Sequence, residues 1–176
     1  MLRISFFELN FCGKISLMKK YRQAVSALVI RPIASKDGEV IYEMLLVHKP
    51  RRNDAWQLPQ GGIEDGESYE VAARRELMEE AGITVGKLLI ASESVYTYDF
   101  PPAFLERHKP VNSGQTLFFV AFLAEPNTVV TVDLHEIDQF VWVTPQTLRN
   151  YVTRPEYLDF IDSVYSEALA HLPSGG

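Results

Sequence analysis

Residues 61–83 read GGIEDGESYEVAARRELMEEAGI, and this stretch decides how the rest of the chain is understood. Ser68 stands where a helix N-cap belongs and Gly82 where a helix-ending glycine belongs, so the spacing predicts a helix over Ser68–Ala81. Within it, Glu76, Glu79 and Glu80 fall at i, i+3 and i+4 and share a face of a helix with ~3.6 residues per turn. Like charges so placed repel by roughly a few tenths of a kcal/mol per pair. Glu79 and Glu80 also sit in the last turn, where the macrodipole disfavours anions. Acids placed so badly for helix stability point to an offsetting partner. A hard divalent cation fits, because Mg²⁺ takes carboxylate oxygens, water and phosphate. The competing reading is a solvated acidic face with no ligand. At ~100° per residue, Val71, Leu77, Met78 and Ala81 lie opposite Glu76 and form the expected buried side. Arg74 interrupts that stripe, while Ala72 and Ala73 flank the acids with small side chains.

The residues around the acids sharpen this. Gly61, Glu67, Arg75, Glu76, Leu77, Glu79, Glu80, Gly82 and Ile83 occupy all nine fixed positions of the Nudix box without a gap, so the chain resembles the Nudix hydrolases. The resemblance implies an α/β fold, an α/β/α sandwich with a mixed β-sheet between helices. It implies that Glu76, Glu79 and Glu80 ligate Mg²⁺, with Mn²⁺ as a substitute, and that Gly61 adds its backbone carbonyl. It implies that Arg75 orients these glutamates, paired with Glu67 by the bidentate fork that Arg forms with carboxylates. The reaction implied is hydrolysis of a nucleoside diphosphate linked to another group, with metal-assisted attack of water on phosphorus. Many relatives carry a further glutamate late in the sheet as ligand or general base; here Val130 occupies that place. Glu125 and Glu136 are the nearest acids, and Glu136 is preferred because His135-Glu136 precedes Phe140-x-Trp142. A glutamate of the box is the alternative base.

Two segments suggest a branch. Trp56-Gln57-Leu58-Pro59-Gln60-Gly61-Gly62-Ile63 and Tyr98-Asp99-Phe100-Pro101-Pro102 resemble the branch holding dinucleoside polyphosphate hydrolases and RNA 5′-pyrophosphohydrolases. Basic residues gather twice, as His48, Lys49, Arg51 and Arg52 before the box, and as Arg107, His108 and Lys109 after it. Both groups suit a polyphosphate clamp. Tyr98, with Tyr96 and Phe100, offers a stacking face for a base. The expected substrate is a small nucleotide, diadenosine tetraphosphate first, with RNA 5′ ends as the alternative. A non-catalytic nucleotide-binding domain is a third reading, disfavoured by the complete set of glutamates.

Composition agrees with an enzyme of this size. The 176 residues are 47% apolar and 23% charged, ample for one buried core. With 17 basic and 23 acidic residues the net charge is −6, which argues against a surface built to grip long nucleic acid. No apolar run approaches the ~20 residues of a membrane span, so no membrane partner is expected. The single cysteine, Cys12, excludes an internal disulfide and fits a reducing, cytoplasmic setting. Met18 looks like a natural start of the fold, with 18–172 as a single domain and 173–176 a frayed tail. Residues 1–17 are then a short extension or the product of an upstream start.

Alternation and turn residues place strands at Gln23–Ile33, Val40–His48, Lys87–Tyr98, Gln115–Ala124 and Ile137–Val143, with a short extended piece at Trp56–Pro59. Helices are expected at Pro145–Tyr151 and Pro155–Leu172, each opening on proline. Pro101–Ser113 is expected to be an irregular loop.

Overall fold

The computed structural model describes residues 8–9, 15–16, 19–35, 37–50 and 55–173, with side chains from residue 19 onward, Glu93 and Ser94 excepted. Arg51, Arg52, Cys12 and most of the 1–17 extension lie outside the described residues. The described chain falls into two compact units.

The larger unit spans 23–96 and 117–173 and holds most of a seven-stranded sheet. Its strands are β3 (Tyr21–Ala34), β4 (Val40–His48), β5 (Trp56–Gln57), β6 (Gln60–Gly62), β7 (Lys87–Asp99), β8 (Gly114–Leu123) and β9 (Gln139–Val143). The order is β5-β4-β3-β8-β7, with β6 paired to β3 and β9 to β4. β3 and β4 form the expected antiparallel hairpin, in register Ile30↔Met44 through Ala34↔Val40. The central strands read as continuous apolar runs because both faces are covered. Val25, Ala27 and Val29 of β3, Leu45 of β4 and Val120 and Phe122 of β8 pack with Ala72, Ala73, Leu77 and Ala81 of α1 (Tyr69–Ala81). On the other face α4 (Pro155–Ala170) covers the sheet: Phe160 stacks on Phe119, and the Tyr165 hydroxyl donates to the Tyr42 carbonyl at 2.9 Å. The short α3 (Pro145–Leu148) precedes it.

β6 was not foreseen. Two glycines made Gln60–Gly62 look like loop, yet its backbone pairs with β3 in register Ala24↔Gly62, Val25↔Gly61 and Ser26↔Gln60. The Gly61 backbone is therefore held on the sheet rather than on a mobile loop.

The expected buried side of α1 needs correction. Leu77 and Ala81 are buried, but Val71 is 54% and Met78 50% exposed. The buried stripe is Ala72, Ala73, Glu76, Leu77, Glu80 and Ala81. Small residues let the helix lie close to the sheet, so the stripe turns toward the alanines and carries two glutamates inward. Arg74 is accounted for as well. Its guanidinium donates to the carbonyls of Val85 (2.6 Å) and Gly86 (3.1 Å), pairs with Glu70, and lies 4.8 Å over the Phe122 ring.

The smaller unit comprises the described residues up to Arg22 together with 97–116. β1 (Glu8–Leu9) and β2 (Ile15–Ser16) pair antiparallel. The ends of β3, β7 and β8 carry the unit. Ser113 donates its N–H to Lys20 and Phe100 donates to Ser113, while the Tyr21 hydroxyl and the Lys19 ammonium both reach Asp99. The expected loop 101–113 contains a helix, α2 (Pro102–His108), with proline in the first turn and Arg107 and His108 in the last. The proline pair that suggested a loop instead presets the backbone angle of a helix start.

Candidate active site

The N-terminal half of the site comes from a turn and a cap. Ser68 accepts the Val71 N–H at 3.3 Å, which starts α1, and Gly82 closes it in the left-handed region at φ 61°. Just before the cap, Glu67 accepts the Glu64 N–H at 2.9 Å. Its carboxylate is then gripped by Arg75, Nε to Oε1 at 2.8 Å and Nη2 to Oε2 at 2.9 Å. Arg75 also donates to the Gly62 carbonyl (2.8 Å), to Glu76 (2.7 Å) and to Glu79 (3.1 Å). One guanidinium thus ties the box turn, β6 and two helix acids into one frame.

Glu76 and Glu80 point into the fold, against β6. A Cβ at position 61 would overlap the Glu76 carboxylate, so only glycine permits this approach. Glu80 accepts the backbone N–H of Gln60 at 3.0 Å. Its other oxygen lies 3.0 Å from the Lys49 ammonium, which also stands 3.5 Å from Glu136. The Glu80 side chain is 5% exposed, Glu76 12%, and Glu79 58%. The three acids therefore differ: two are inward and one lies at the rim.

Burial pushes Glu80 above the ordinary carboxylate range, against the pull of Lys49 and the Gln60 N–H. Burial does the same to Glu76, against the pull of Arg75. Glu67 goes the other way, down to about 2, because Arg75 and then the Glu64 N–H stabilise its charged form. The guanidinium of Arg75 is in turn raised, first by Glu67.

The donor set suits a hard divalent cation. It consists of carboxylate oxygens beside a glycine backbone, it carries more negative than positive charge, and a cation already neutralises its deepest acid, the ammonium of Lys49. Among the described residues no three of His, Cys, Asp or Glu converge as a ready-made cation cage, which follows from Arg75 and Lys49 dividing the carboxylates between them.

The other expected residues fall in several places. His48 lies at the end of β4, its Nδ1 2.5 Å from Asp138 and its ring 5.0 Å from Trp56. Trp56 in turn meets Tyr151 edge-on at 5.2 Å. Glu136 is brought to Lys49, 64% exposed, on a loop whose N–H groups at His135, Glu136 and Ile137 all donate to Asp133. Val130 is buried and offers no ligand. Tyr98, Arg107 and Lys109 belong to the smaller unit, where the Tyr98 hydroxyl donates to Gln115 and Lys109 caps α2 at φ 43°. Two contacts escaped the sequence: Asp138 as partner of His48, with no signal to find it, and Lys49 as partner of Glu80, whose only hint was a basic residue before the box.

A family model described as NUDIX domain matches residues 20–164. The chain belongs to the Nudix family. Among curated Nudix relatives, the RNA pyrophosphohydrolase of Caulobacter vibrioides is 42% identical over 93 residues, 49% of this chain and 54% of that protein. In that alignment the chain spans about half the length of its relative. The RNA pyrophosphohydrolase of a Sulfurovum species is 31% identical over 156 residues, 86% of this chain and 97% of that protein. In fold, a Caenorhabditis elegans Ap4A hydrolase in a binary complex superimposes with a TM-score of 0.66 at 21% identity, covering 86% of this chain and 99% of that one. That likeness carries the mixed sheet between helices expected of a Nudix protein. Nudix hydrolases generally use divalent metal ions. Among the described residues no helix is long and apolar enough to cross a membrane.

Proposed function

We propose that this Nudix protein is a divalent-metal-dependent pyrophosphohydrolase that cleaves a phosphoric anhydride bond in a nucleoside diphosphate linked to a second group. The observation that carries this is the inward pair Glu76 and Glu80 set against the Gly61 backbone, two largely buried acids that, with Glu67, Glu79 and Glu136, share a single guanidinium and a single ammonium, so that carboxylates outnumber cations at the site. Glu76, Glu80 and the Gly61 carbonyl would hold Mg²⁺, or Mn²⁺ in its place, with Glu79 joining from the rim. The ion supplies charge neutralisation at the phosphoryl oxygens and an acidified water. Arg75 holds the acids in register through Glu67. Glu136, exposed and acidic, accepts the proton of the attacking water, with a box glutamate as the alternative. Within the larger unit, His48 and Lys49 at the end of β4 are the candidates for contact with the phosphate chain.

The leading substrate is a dinucleoside polyphosphate such as diadenosine tetraphosphate, in keeping with the net charge of −6. The RNA 5′ end is the second reading, supported by relatives named RNA pyrophosphohydrolase at 31% and 42% identity. Both substrates are tested side by side with Mg²⁺ and Mn²⁺. Faster turnover of 5′-triphosphorylated RNA reverses the order, and no turnover of any nucleotide overturns the enzymatic reading.

A further inference from the structure

Lys49 makes a contact that a simple phosphate clamp does not need. Its ammonium is 3.0 Å from Oε1 of Glu80, a carboxylate 5% exposed, and 3.5 Å from Oε2 of Glu136, a carboxylate 64% exposed. The lysine side chain itself is 24% exposed. It stands between an inner acid and an outer acid.

The other acids of the site have a different cation. Arg75 serves Glu67, Glu76 and Glu79, and among the described residues its contacts do not extend to Glu80. The second oxygen of Glu80 is taken by the Gln60 N–H. Hence the one charged partner described for Glu80 is Lys49. An anion buried to this degree is costly when alone, so the ammonium stabilises the ionised carboxylate. It does so at the oxygen a divalent ion would need.

We propose that Lys49 is an exchangeable internal cation: it occupies Glu80 while the metal is absent, yields that oxygen when a divalent ion binds, and is retained by Glu136 at the mouth of the site. This inference rests on the metal-dependent reading above. The geometry makes the exchange short. Lysine is a flexible point charge with rotatable donors, unlike the planar fork of Arg75. Its ammonium already stands 3.0 Å from one carboxylate and 3.5 Å from the other, so the movement between them is short. Glu80 gains a dication as it loses a monocation, so the buried carboxylate is at no stage left unpaired. The released ammonium then faces outward, where an anionic substrate arrives. Metal occupancy and the position of Lys49 are thus linked, and linkage is reciprocal.

The two partners have opposite effects on metal affinity, which gives a test by sign. Removing the competitor in Lys49→Met strengthens Mn²⁺ binding. Removing the outer acceptor in Glu136→Gln leaves the lysine on Glu80 and weakens it. The double variant Lys49→Met/Glu136→Gln follows the lysine variant, because the outer acid acts through the lysine. Each single change is expected to move the Mn²⁺ dissociation constant about fivefold or more, the range of typical coupling between linked sites. Calorimetric Mn²⁺ titrations of the full chain, without substrate, read this directly. Thermal melts of metal-free protein supply a second readout: Lys49→Met melts lower without Mn²⁺ and gains more from it than the wild type does. Unchanged or weakened Mn²⁺ affinity in Lys49→Met overturns the exchange while leaving the metal-dependent reading intact. Absence of Mn²⁺ binding by the wild type overturns both.

Discussion

Arg75 and Glu67, eight residues apart on either side of a helix start, form two parallel hydrogen bonds of 2.8 and 2.9 Å. The pair spans the cap, so the turn that precedes α1 and the acids within it move as one piece. Lysine retains the charge at position 75 but cannot form the fork or reach Gly62, Glu76 and Glu79 together. Arg75→Lys is expected to lower metal affinity or turnover by roughly 10–100-fold, the usual effect of losing a group that orients metal ligands. Metal titration and steady-state kinetics check it.

The same pair carries a pH dependence with a definite sign. Glu67 is held down to about 2 in the fold, below its ordinary value near 4.5. The stability it contributes is complete above the ordinary value and is lost as the pH falls through about 2. Glu67→Gln should therefore lower the melting temperature at pH 6, and the difference from wild type should shrink steadily from pH 4.5 downward. A pH-independent difference would show that the fork is not the cause.

Glu76 and Glu80 carry the opposite shift, since burial raises both. The fold binds their protons more tightly than the unfolded chain does, so metal-free stability from these groups falls as pH rises above the ordinary carboxylate range. A cation that binds the ionised pair counters this. The rise in melting temperature on adding Mn²⁺ should accordingly grow as the pH climbs above the ordinary carboxylate value of 4.5, a comparison open to differential scanning fluorimetry.

A Cβ at Gly61 would overlap the Glu76 carboxylate, the end of a side chain that Arg75 holds in place. Gly61→Ala must push Glu76 away or distort β6. The expected cost is about 1–3 kcal/mol of stability, as for other overpacked sites, together with lost metal affinity. Denaturant unfolding and Mn²⁺ titration measure the two losses separately.

Behind the box, the Tyr157 hydroxyl of α4 accepts the N–H of Leu58 at 3.2 Å, and both residues are fully buried. Tyr157→Phe leaves that N–H without its acceptor, at a cost of roughly 1–3 kcal/mol. Because Leu58 lies two residues before Gln60, whose N–H binds Glu80, turnover should fall as well. A stability loss with unchanged turnover would show that the segment does not transmit the strain.

Local chemistry made a good part of this readable from the chain. Ser68 and Gly82 bound a helix because a hydroxyl and a left-handed glycine satisfy its loose ends, and continuous apolar runs such as Leu28–Ile30 and Leu117–Phe122 belong in a sheet covered on both sides. Helix period put Glu76 and Glu80 on a common face, and the resemblance to the Nudix box implied the pairing of Arg75 with Glu67. What helix period could not supply was the direction of that face. Whether the stripe with Val71 and Met78 or the one with the alanines and glutamates turned inward depended on how closely α1 could approach the sheet, a question of packing between segments far apart in sequence. The Lys49–Glu80 and His48–Asp138 pairs have the same origin, 31 and 90 residues apart along the chain yet adjacent in space. Sequence set which charges this protein carries near its box; only the folded sheet, by bringing the end of β4 beside the end of α1, decided which of them meet.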